Sequence, residues 1–393
     1  MTAGDSLIEI RVNRKAADRV ASGHPWIFSS DLVDRGDAAP GATVKVTGPH
    51  GRAIGTAHYS SSSQIALRLL SRDVQEIERG FFAQRLEEAK QHRSLVVRDT
   101  EAYRLVHGEG DRLPAMVVDR YGDYLVLQTL DQGMEAAKEW IVFCLVELIA
   151  PKGIVARNDV AVRTHEQLPL ETATVFGEVP AIVSVRMNGL EFRADLLRGQ
   201  KTGIFLDQRE NYTAAARYAQ GRALDCFTST GGFALHLAAK CESVEAVDSS
   251  AAALATAEEN RKANNQISNI EFHEADIFEL LTGYAASARQ FSTVILDPPA
   301  FAKSRRHLEG AARGYKEINL RALRLLGPGG ILVTCSCSHH LSEAAFLEIV
   351  AQAALDAGRE LRVLERRTQA QDHPILLTVP ETHYLKCLVL QVV

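Results

Sequence analysis

The chain has 393 residues, of which 46% are hydrophobic and 24% are charged. This balance is typical of a soluble globular protein, and the length favours two or three domains over a single one. The sequence contains no run of about 18 uncharged apolar residues, so it predicts no membrane span. The N-terminus lacks the basic and apolar regions of a secretory signal.

Six cysteines are scattered along the chain without a Cys-x-x-Cys pair. Their spacing matches neither a zinc site nor a disulfide framework. We therefore expect no metal, and free thiols in a reducing cytoplasm. The net charge of −5 is not the basic footprint that is usual for nucleic-acid binders. Up to Arg72, however, the sequence contains nine basic and six acidic residues. This excess of positive charge only slightly favours an N-terminal module that binds RNA over a chance distribution of surface charges.

The first 72 residues read as short strands that are broken by turns. Ile8–Val12 and Thr43–Val46 alternate between apolar and polar residues, and Ile65–Leu70 closes the set. Turn residues such as Gly48–Gly51 separate these segments. This spacing predicts a small β-barrel over residues 1–72.

Residues 73–200 mix helical and strand patterns. Apolar residues at helical spacing predict a connector helix at about 75–97. The turn Tyr121-Gly122-Asp123 between two apolar runs predicts a β-hairpin, and Ala136–Ile149 reads as an apolar helix. Two further strands are expected before residue 200. We interpret this part as an α+β central module.

From residue 201 to 393 strands alternate with helices. This order predicts a parallel, doubly wound, Rossmann-like sheet. In such sheets ligands bind outside the carboxyl ends of the strands. The predicted strands end at Phe227, Asp248, Phe272, Leu296 and Thr334.

Three strand ends carry residues that suit an adenosine. The turn Thr230-Gly231-Gly232 lets a ligand approach the backbone, since glycine has no Cβ. Asp248 could accept hydrogen bonds from both ribose hydroxyls, and Asp276 could bind the amine of an adenine. The dinucleotide fingerprint Gly-x-Gly-x-x-Gly is absent, which disfavours NAD. Asp248 and Asp276 could each instead cap a helix.

The fourth and fifth strand ends carry residues that suit chemistry on a nucleobase. Asp297-Pro298-Pro299 has the form of the acidic, proline-stiffened loop in which nucleobase methyltransferases hold the edge of a flipped base. Cys337 could add as a thiolate to C6 of a pyrimidine and so make C5 nucleophilic. Either feature could be purely structural, and Cys335, deeper in the strand, is expected only to pack.

Three basic residues follow this loop, and two histidines follow Cys337. Lys303, Arg305 and Arg306 could bind phosphates or form an ordinary solvated run. His339 and His340 are expected to have structural or surface roles.

Motifs along nearly the whole chain form a specific set. They are His24-Pro25-Trp26-Ile27-Phe28, Tyr59-Ser60, Ser63-Gln64-Ile65, Tyr103-Arg104-Leu105, Gly108-Glu109, Asp111, Leu113-Pro114, Val118-Asp119-Arg120, Lys201-Thr202-Gly203, Leu206-Asp207-Gln208-Arg209, Thr230-Gly231-Gly232-Phe233, Asp297-Pro298-Pro299 with Phe301, Arg313-Gly314-Tyr315-Lys316, Ile318-Asn319, Ser336-Cys337-Ser338, Pro380-Glu381 and Tyr384-Leu385-Lys386. With these motifs the chain resembles the large-subunit ribosomal RNA methyltransferase I family. Its members are class I cytosine-C5 methyltransferases that depend on S-adenosylmethionine (SAM) and carry an N-terminal PUA domain.

The resemblance implies a role for each matching residue. Cys337 would be the nucleophile, and Asp297 would hold the N3/N4 edge of the base. Asp248 would bind the ribose, Asp276 the adenine, and Thr230 to Gly232 the methionine side of SAM. The implied cofactor site comprises Arg209, Phe227, Thr228, Thr230, Gly231, Gly232, Asp248, Ser249, Asp276, Ile277 and Asp297.

One departure affects the release of product. Other RNA cytosine-C5 enzymes carry a second cysteine directly after the motif proline, to assist release. Ala300 stands at this position here, so another base is needed, which the sequence does not identify.

The resemblance also implies partners. It implies 23S ribosomal RNA as substrate and makes a homodimer plausible, and we expect no membrane partner. Two alternatives stay open. One is a ribosomal RNA guanine methyltransferase without covalent catalysis, and the other is a PUA-bearing RNA-binding protein with a vestigial methyltransferase fold.

Overall fold

The structure, a computed structural model, describes residues 7–199, 204–302 and 305–393, except for the side chain of Arg305. The motif Lys201-Thr202-Gly203, Lys303 and the Arg305 side chain therefore lie outside the described residues. The strands are β1 Glu9–Val12, β2 Trp26–Phe28, β3 Leu32–Asp34, β4 Thr43–Thr47, β5 Ala53–Tyr59, β6 Ile65–Ser71, β7 Ala102–His107, β8 Met116–Tyr121, β9 Tyr124–Thr129, β10 Gly153–Arg157, β11 Thr172–Gly177, β12 Val183–Met187, β13 Leu190–Ala194, β14 Arg222–Cys226, β15 Ser243–Asp248, β16 Ile270–Glu274, β17 Phe291–Leu296, β18 Leu326–Ser336, β19 Leu361–Arg367 and β20 Lys386–Val392.

Helices lie between many of these strands. They are α1 Arg14–Ala21, α2 Arg79–Val96, α3 Gln132–Ala136, α4 Lys138–Ile149, α5 Arg209–Tyr218, α6 Gly232–Ala238, α7 Ala251–Ala263, α8 Ile277–Ala286, α9 Leu308–Arg324 and α10 Glu343–Ala357. None of the helices in the described ranges combines the length and the apolar character that crossing a bilayer requires.

The described chain forms two compact units. The first comprises the described residues up to Val185 and within 194–203, together with Gln371–Thr382. The second comprises Arg186–Arg193, Ile204–Ala370 and His383–Val393. The chain thus leaves the second unit and re-enters it near its C-terminal end. The predicted division at residues 72 and 200 stays a prediction.

The first unit contains two sheets. The N-terminal sheet has the strand order β2-β6-β5-β4-β1-β3, and the other has the order β11-β10-β9-β8-β7. The predicted hairpin is present, because β8 and β9 pair from Tyr121↔Tyr124 to Met116↔Thr129 around Gly122, whose φ is +59°. The predicted connector helix is α2, whose apolar face joins the core of the second sheet.

The helix predicted at Ala136–Ile149 is α4, which begins two residues later than predicted, and a short helix that we did not predict, α3, precedes it. Ala137 has φ/ψ of −87°/0° and separates α3 from α4. Local packing accounts for α3, because it lies against β5. A Cβ on Gly133 would come within 2.2 Å of the His58 ring, and the Gln132 side chain accepts a hydrogen bond from the Ser61 backbone at 2.9 Å. The periodic pattern therefore predicts α4 correctly, whereas the contacts that hold α3 are made with residues far along the chain, which such a pattern does not reveal.

The second unit is built on a seven-stranded sheet in the order β16-β15-β14-β17-β18-β20-β19. Strands β14 to β18 pair with one another in parallel, which confirms the predicted Rossmann-like fold. These strands are apolar because helices cover both faces; Leu224, Val294 and Leu332 are fully buried. The strand order reverses between β14 and β17, which is where open α/β sheets bind ligands. Strand β20, which we did not predict, pairs antiparallel with both β18 and β19.

Candidate active site

The turn after β14 has an unusual backbone. Phe227, Ser229 and Gly231 have φ of +66°, +50° and +85°, so the left-handed conformation recurs at every second residue. Left-handed non-glycine residues cost roughly 1–3 kcal/mol each and persist where the surroundings hold them, often at ligand clamps. The Ser229 N–H donates to Asp248 Oδ2 at 2.9 Å, and the Thr230 carbonyl accepts from Asn260 Nδ2 at 2.9 Å. The turn is therefore fixed by neighbouring elements.

Asp225, inside β14, supports the turn from below. Its Oδ2 accepts from Thr228 Oγ1 at 2.6 Å and from the Ala234 N–H at 2.9 Å. Burial raises the pKa of Asp225 to about 7, and its hydrogen bonds oppose the shift only in part. Within the described residues, neither Asp225 Oδ1 nor the buried Ser229 Oγ has a hydrogen-bond partner. Sequence reasoning missed Asp225, although an acid inside an apolar strand is a signal.

Asp248 ends β15, next to the turn. Its Oδ2 accepts from the Ser229 N–H, and its Oδ1 accepts from the Ser250 N–H, both at 2.9 Å. Each carboxylate oxygen keeps a lone pair for a further donor. The cap of α7 is Ser250, which accepts from the Ala253 N–H. The N-cap reading of Asp248 is therefore wrong, while Ser249 beside it is exposed.

Asp276 follows β16 and caps α8. Its Oδ1 accepts from the Glu279 N–H at 3.1 Å, so the capping alternative holds for this residue. The Asp276 side chain is exposed. Because a carboxylate accepts several hydrogen bonds, its second oxygen can accept one from a ligand while the first caps the helix. Ile277, the first residue of α8, is buried.

These residues fit a SAM molecule. β14, β15 and β16 are adjacent parallel strands, so their carboxyl ends share one edge of the sheet. Hydrogen-bond acceptors dominate there, including two oxygens that make no bond within the described chain. Carboxylates accept from ribose hydroxyls and amines and attract a sulfonium cation, whereas they would repel a pyrophosphate. Arg209 begins α5 and is buried; its carbonyl accepts from Asn188 Nδ2 at 2.9 Å.

Asp297 follows β17 and is oriented by an amide. Its Oδ1 accepts from Gln208 Nε2 at 2.8 Å. Gln208 Oε1 accepts from Asn211 Nδ2 at 2.7 Å, and Asn211 Oδ1 accepts from Arg367 Nε at 2.9 Å. These four hydrogen-bonded side chains fix the position of one carboxylate oxygen of Asp297, and this sets the orientation of the whole carboxylate. Sequence reasoning assigned no role to Gln208, although this residue stands in one of the family motifs.

Cys337 lies directly after β18, whose neighbour β17 leads into Asp297. Its Sγ–H donates to the Pro298 carbonyl at 3.9 Å, which places the thiol at the Asp-Pro-Pro loop. Of the six cysteines, all within the described ranges, only Cys337 is not buried. Cys335 pairs in register with Cys387 in β20, and burial raises the pKa of the Cys335 thiol well above its usual value.

Polar contacts hold both neighbours of Cys337. The Tyr315 hydroxyl lies 3.0 Å from both Ser336 Oγ and Ser338 Oγ, and Ser338 Oγ accepts from the Ala302 N–H at 3.2 Å. Lys386 donates to the Ser338 carbonyl at 2.7 Å. The sequence assigned no function to Tyr315 or Lys386.

The other residues considered from the sequence lie around this edge. His339 stacks on Tyr384 with ring centroids 5.3 Å apart, and Tyr384 donates to Asp207 at 2.8 Å. His340 and Arg306 are exposed. The structure therefore gives His339 a packing role.

Two family models match the chain. A PUA-like domain matches residues 10–72, and an S-adenosylmethionine-dependent methyltransferase matches residues 128–389. The chain is also similar to curated proteins along nearly its whole length. The ribosomal RNA large subunit methyltransferase I of Shewanella denitrificans is 42% identical over 378 residues, which cover 94% of this chain and 95% of that protein. The protein of the same name from Klebsiella pneumoniae is 41% identical over 371 residues, covering 92% and 93%.

Solved structures share the fold. A methyltransferase crystallised with SAH has a TM-score of 0.85 at 20% identity, covering 98% of this chain and 100% of that one. A SAM-dependent methyltransferase from Streptococcus mutans has a TM-score of 0.84 with the same identity and coverage. At this identity the likeness extends to the arrangement of the elements and not to individual site residues.

Proposed function

Since the chain belongs to the ribosomal RNA large subunit methyltransferase I family of SAM-dependent enzymes, we propose that it forms 5-methylcytosine in 23S ribosomal RNA through a covalent bond from Cys337. SAM is its cofactor and large-subunit ribosomal RNA its substrate class. The proposal goes beyond family membership in two points: the methylated atom is C5 of a cytosine, and the reaction proceeds through a covalent bond to Cys337.

The observation that carries these two points is the pairing of Cys337 with the Asp297 loop. Both residues follow adjacent parallel strands, and the Cys337 thiol reaches the Pro298 carbonyl. A thiol and a carboxylate at one edge are the groups that activation of C5 needs. The thiol adds to C6, while the carboxylate binds the polar edge of the base. A guanine methyltransferase would have no use for the thiol.

The covalent step begins at Cys337. The Cys337 thiolate forms an S–C6 bond, and the electron pair of the C5=C6 bond makes C5 nucleophilic. Asp297 holds the N3/N4 edge, and through it N3 gains a proton as the adduct forms and loses it again when the S–C6 bond breaks. When bound, SAM would supply an electrophilic methyl group to C5, and its sulfur would keep the electron pair of the broken S–CH3 bond and leave as S-adenosylhomocysteine. The C5 proton then leaves to a base, the C5=C6 bond re-forms, and the S–C6 bond breaks to release the thiolate. With Ala300 after the prolines, that base is not a second cysteine of the loop.

The cofactor roles follow the strand ends. Asp248 binds the ribose hydroxyls with its remaining lone pairs, and Asp276 binds the adenine amine with the oxygen that does not cap α8. Thr230 to Gly232 face the methionine side. The surrounding positions are Arg209, Phe227, Thr228, Ser249, Ile277 and Asp297.

The RNA is bound by the N-terminal parts of the chain. The PUA-like residues 10–72 and the central module contact phosphates and 2′-hydroxyls. The target cytosine leaves its stack so that its C5 and C6 atoms become accessible. In this proposal the segments 1–72, 73–200 and 201–393 bind RNA, connect and catalyse, respectively.

The test is the product itself. Purified protein is incubated with labelled SAM and unmodified 23S ribosomal RNA, and the nucleosides are identified by mass spectrometry. Cys337→Ala is the test variant, and Cys335→Ala, two residues earlier in β18, is the matched control. We expect 5-methylcytidine from the parent and from Cys335→Ala, and at least a 1,000-fold lower rate from Cys337→Ala, in line with other catalytic nucleophiles.

Two other outcomes favour the alternatives. Label on guanine, with Cys337→Ala fully active, would favour a guanine methyltransferase without a covalent step. A protein that binds RNA but does not bind SAM in calorimetry would favour a vestigial methyltransferase fold.

A further inference from the structure

Lys386 is a buried cation next to the proposed nucleophile. It begins β20 and pairs in register with Ser336 of β18, and only 3% of its surface is exposed. Its Nζ donates to the Ser338 carbonyl at 2.7 Å and to the Tyr384 carbonyl at 2.8 Å. Both acceptors are neutral. The ammonium is therefore held in a fixed position at the carbonyl of Ser338, the residue that follows Cys337.

Among the described residues, Cys337 and Glu343 are the charged groups that act on Lys386. Burial lowers the pKa of Lys386 to about 8, while Cys337 and Glu343 oppose this shift. Glu343, in the first turn of α10, is paired with Arg366 at 2.8 Å, and that hydrogen bond lowers the pKa of Glu343. His383 also acts on Glu343.

Tyr315, on α9, is a further titratable group near Cys337. Burial raises the pKa of its hydroxyl, and the Cys337 charge raises it further. Tyr315 therefore stays neutral and does not compete for the ammonium. Ionisation of Cys337 therefore places an anion close enough to act on the Lys386 ammonium.

Burial makes this interaction matter. An ammonium removed from water loses hydration, which neutral carbonyls replace only in part. An opposite charge nearby recovers part of that loss, and at low exposure it acts with little solvent screening. A nearby ammonium lowers a thiol pKa by the same interaction. Buried lysine and partly exposed cysteine therefore stabilise each other's charged forms.

We propose that Lys386 is a positioning residue that holds a positive charge beside Cys337 and so favours its reactive thiolate. The proposal rests on the proposed function, in which Cys337 is the nucleophile. The antiparallel insertion of β20 beside β18 brings the ammonium to this place. Its bond to the Ser338 carbonyl also fixes the backbone that carries Cys337. Because the two groups interact, they titrate as a pair rather than independently.

Alkylation of Cys337 measures its ionisation without RNA or SAM. Only Cys337 among the six cysteines is partly exposed, so iodoacetamide modifies it selectively in the native protein. The rate is followed from pH 5.5 to 9.5 by mass spectrometry of the peptide that contains Cys337. Lys386→Met is the test variant, because methionine keeps the apolar stem and removes the charge. The matched control is Lys316→Met in α9, which removes the salt bridge from Lys316 to Asp356 of α10.

We expect the parent thiol to titrate below the ordinary value of about 8.5. In Lys386→Met the apparent pKa of the Cys337 thiol should rise by about one unit or more, which slows alkylation at pH 7 by about 10-fold. Lys316→Met should leave the profile unchanged. SAM binding by calorimetry checks that each variant is folded.

Either of two results would overturn the proposal. One is an unchanged pH profile in folded Lys386→Met. The other is a parent thiol that titrates at or above the ordinary value, and this result needs no variant. Both are independent of the methylated base, so failure of the cytosine assignment and failure of the Lys386 role are distinguishable.

Discussion

The carboxylate of Asp297 takes its orientation from a line of side chains that ends at Arg367. Gln208 is the link that touches Asp297, through Nε2 at 2.8 Å. Asn211 holds Gln208 in turn, so the amide cannot rotate without loss of a buried hydrogen bond. A hydrogen bond to a charged group is worth about 1.5–3 kcal/mol. We therefore expect the orientation of Asp297 to depend measurably on Gln208.

Gln208→Met should lower kcat by about 10- to 100-fold, which is this hydrogen-bond energy converted at about 1.4 kcal/mol per factor of ten. KM for SAM should change much less. The measurement is steady-state methylation of 23S ribosomal RNA fragments. Gln220→Met, which removes a hydrogen bond to the Gly329 carbonyl in the same unit, is the control and should be near neutral. Equal activity of Gln208→Met and the parent would show that Asp297 does not need this contact.

Single residues differ in how far the sequence reveals their roles. Asp297 and Cys337 follow predicted strands, so their place at one edge could be predicted from the order of the elements alone. Gln208 and Lys386 could not be assigned in this way. Their partners lie 89 and 48 residues away along the chain, and no periodicity specifies such contacts. The family motifs contain both residues but carry no information about what they touch.

The turn between β14 and α6 depends on close packing at its second glycine. A Cβ on Gly232 would lie 2.4 Å from Cζ of Tyr212. The Tyr212 ring cannot yield easily, because it packs on Phe233 with ring centroids 4.7 Å apart and on His236 at 5.2 Å. The sequence singled out this glycine for its approach to a ligand. The structure adds that it makes room for α5 to pack against α6.

Gly232→Ala should destabilise the second unit by about 1–3 kcal/mol, the usual cost of overpacking. Thermal unfolding with and without SAM measures the effect. Gly310→Ala in α9 is the matched control, since a Cβ there meets nothing within 4 Å. The control should be neutral or stabilising by up to about 1 kcal/mol, because alanine favours helix. Equal unfolding temperatures of the two variants would contradict this account of the turn.

At the level of elements, the parallel part of the sheet was predictable and its antiparallel part was not. Strands β14, β15 and β17, and the segment Ile331–Thr334 of β18, are short and mainly apolar, and each leads to a polar strand end. This pattern is typical of a doubly wound sheet. Strand β19 alternates only weakly between exposed and partly buried residues. Strand β20 lies between β18 and β19 and pairs with both. Such pairing between segments that are distant along the chain cannot be predicted from a hydrophobic pattern.

Each of the two units contains a buried carboxyl that resists ionisation. Burial raises the pKa of Asp131 to about 6 in the first unit and that of Asp225 to about 7 in the second. Each ordinarily has a pKa of 3.8. The folded protein therefore retains protons that the unfolded chain has already released. The stability contributed by such a group is fully present below about pH 4 and is lost as the pH rises to the folded-state pKa.

Asp225→Asn should remove this dependence from the second unit. Asparagine keeps an oxygen that can accept from Thr228 and Ala234, and it carries no charge at any pH. Relative to the parent, the variant should gain up to about 1.4 kcal/mol per pH unit between pH 4 and 7, with no further gain above pH 7. Differential scanning calorimetry from pH 4 to 8 measures this difference. A constant difference in unfolding temperature across that range would mean that Asp225 ionises normally.

The covalent bond between Cys337 and a cytosine is the central claim, and trapping that bond tests it most directly. RNA that contains 5-fluorocytidine can accept the methyl group but has no C5 proton to lose, so the S–C6 bond should persist. With SAM present, the parent and Cys335→Ala should form a denaturation-resistant protein–RNA complex, and the peptide containing Cys337 should carry the nucleotide. Cys337→Ala should form no complex. A complex formed by Cys337→Ala, or full 5-methylcytidine synthesis without Cys337, would contradict the account.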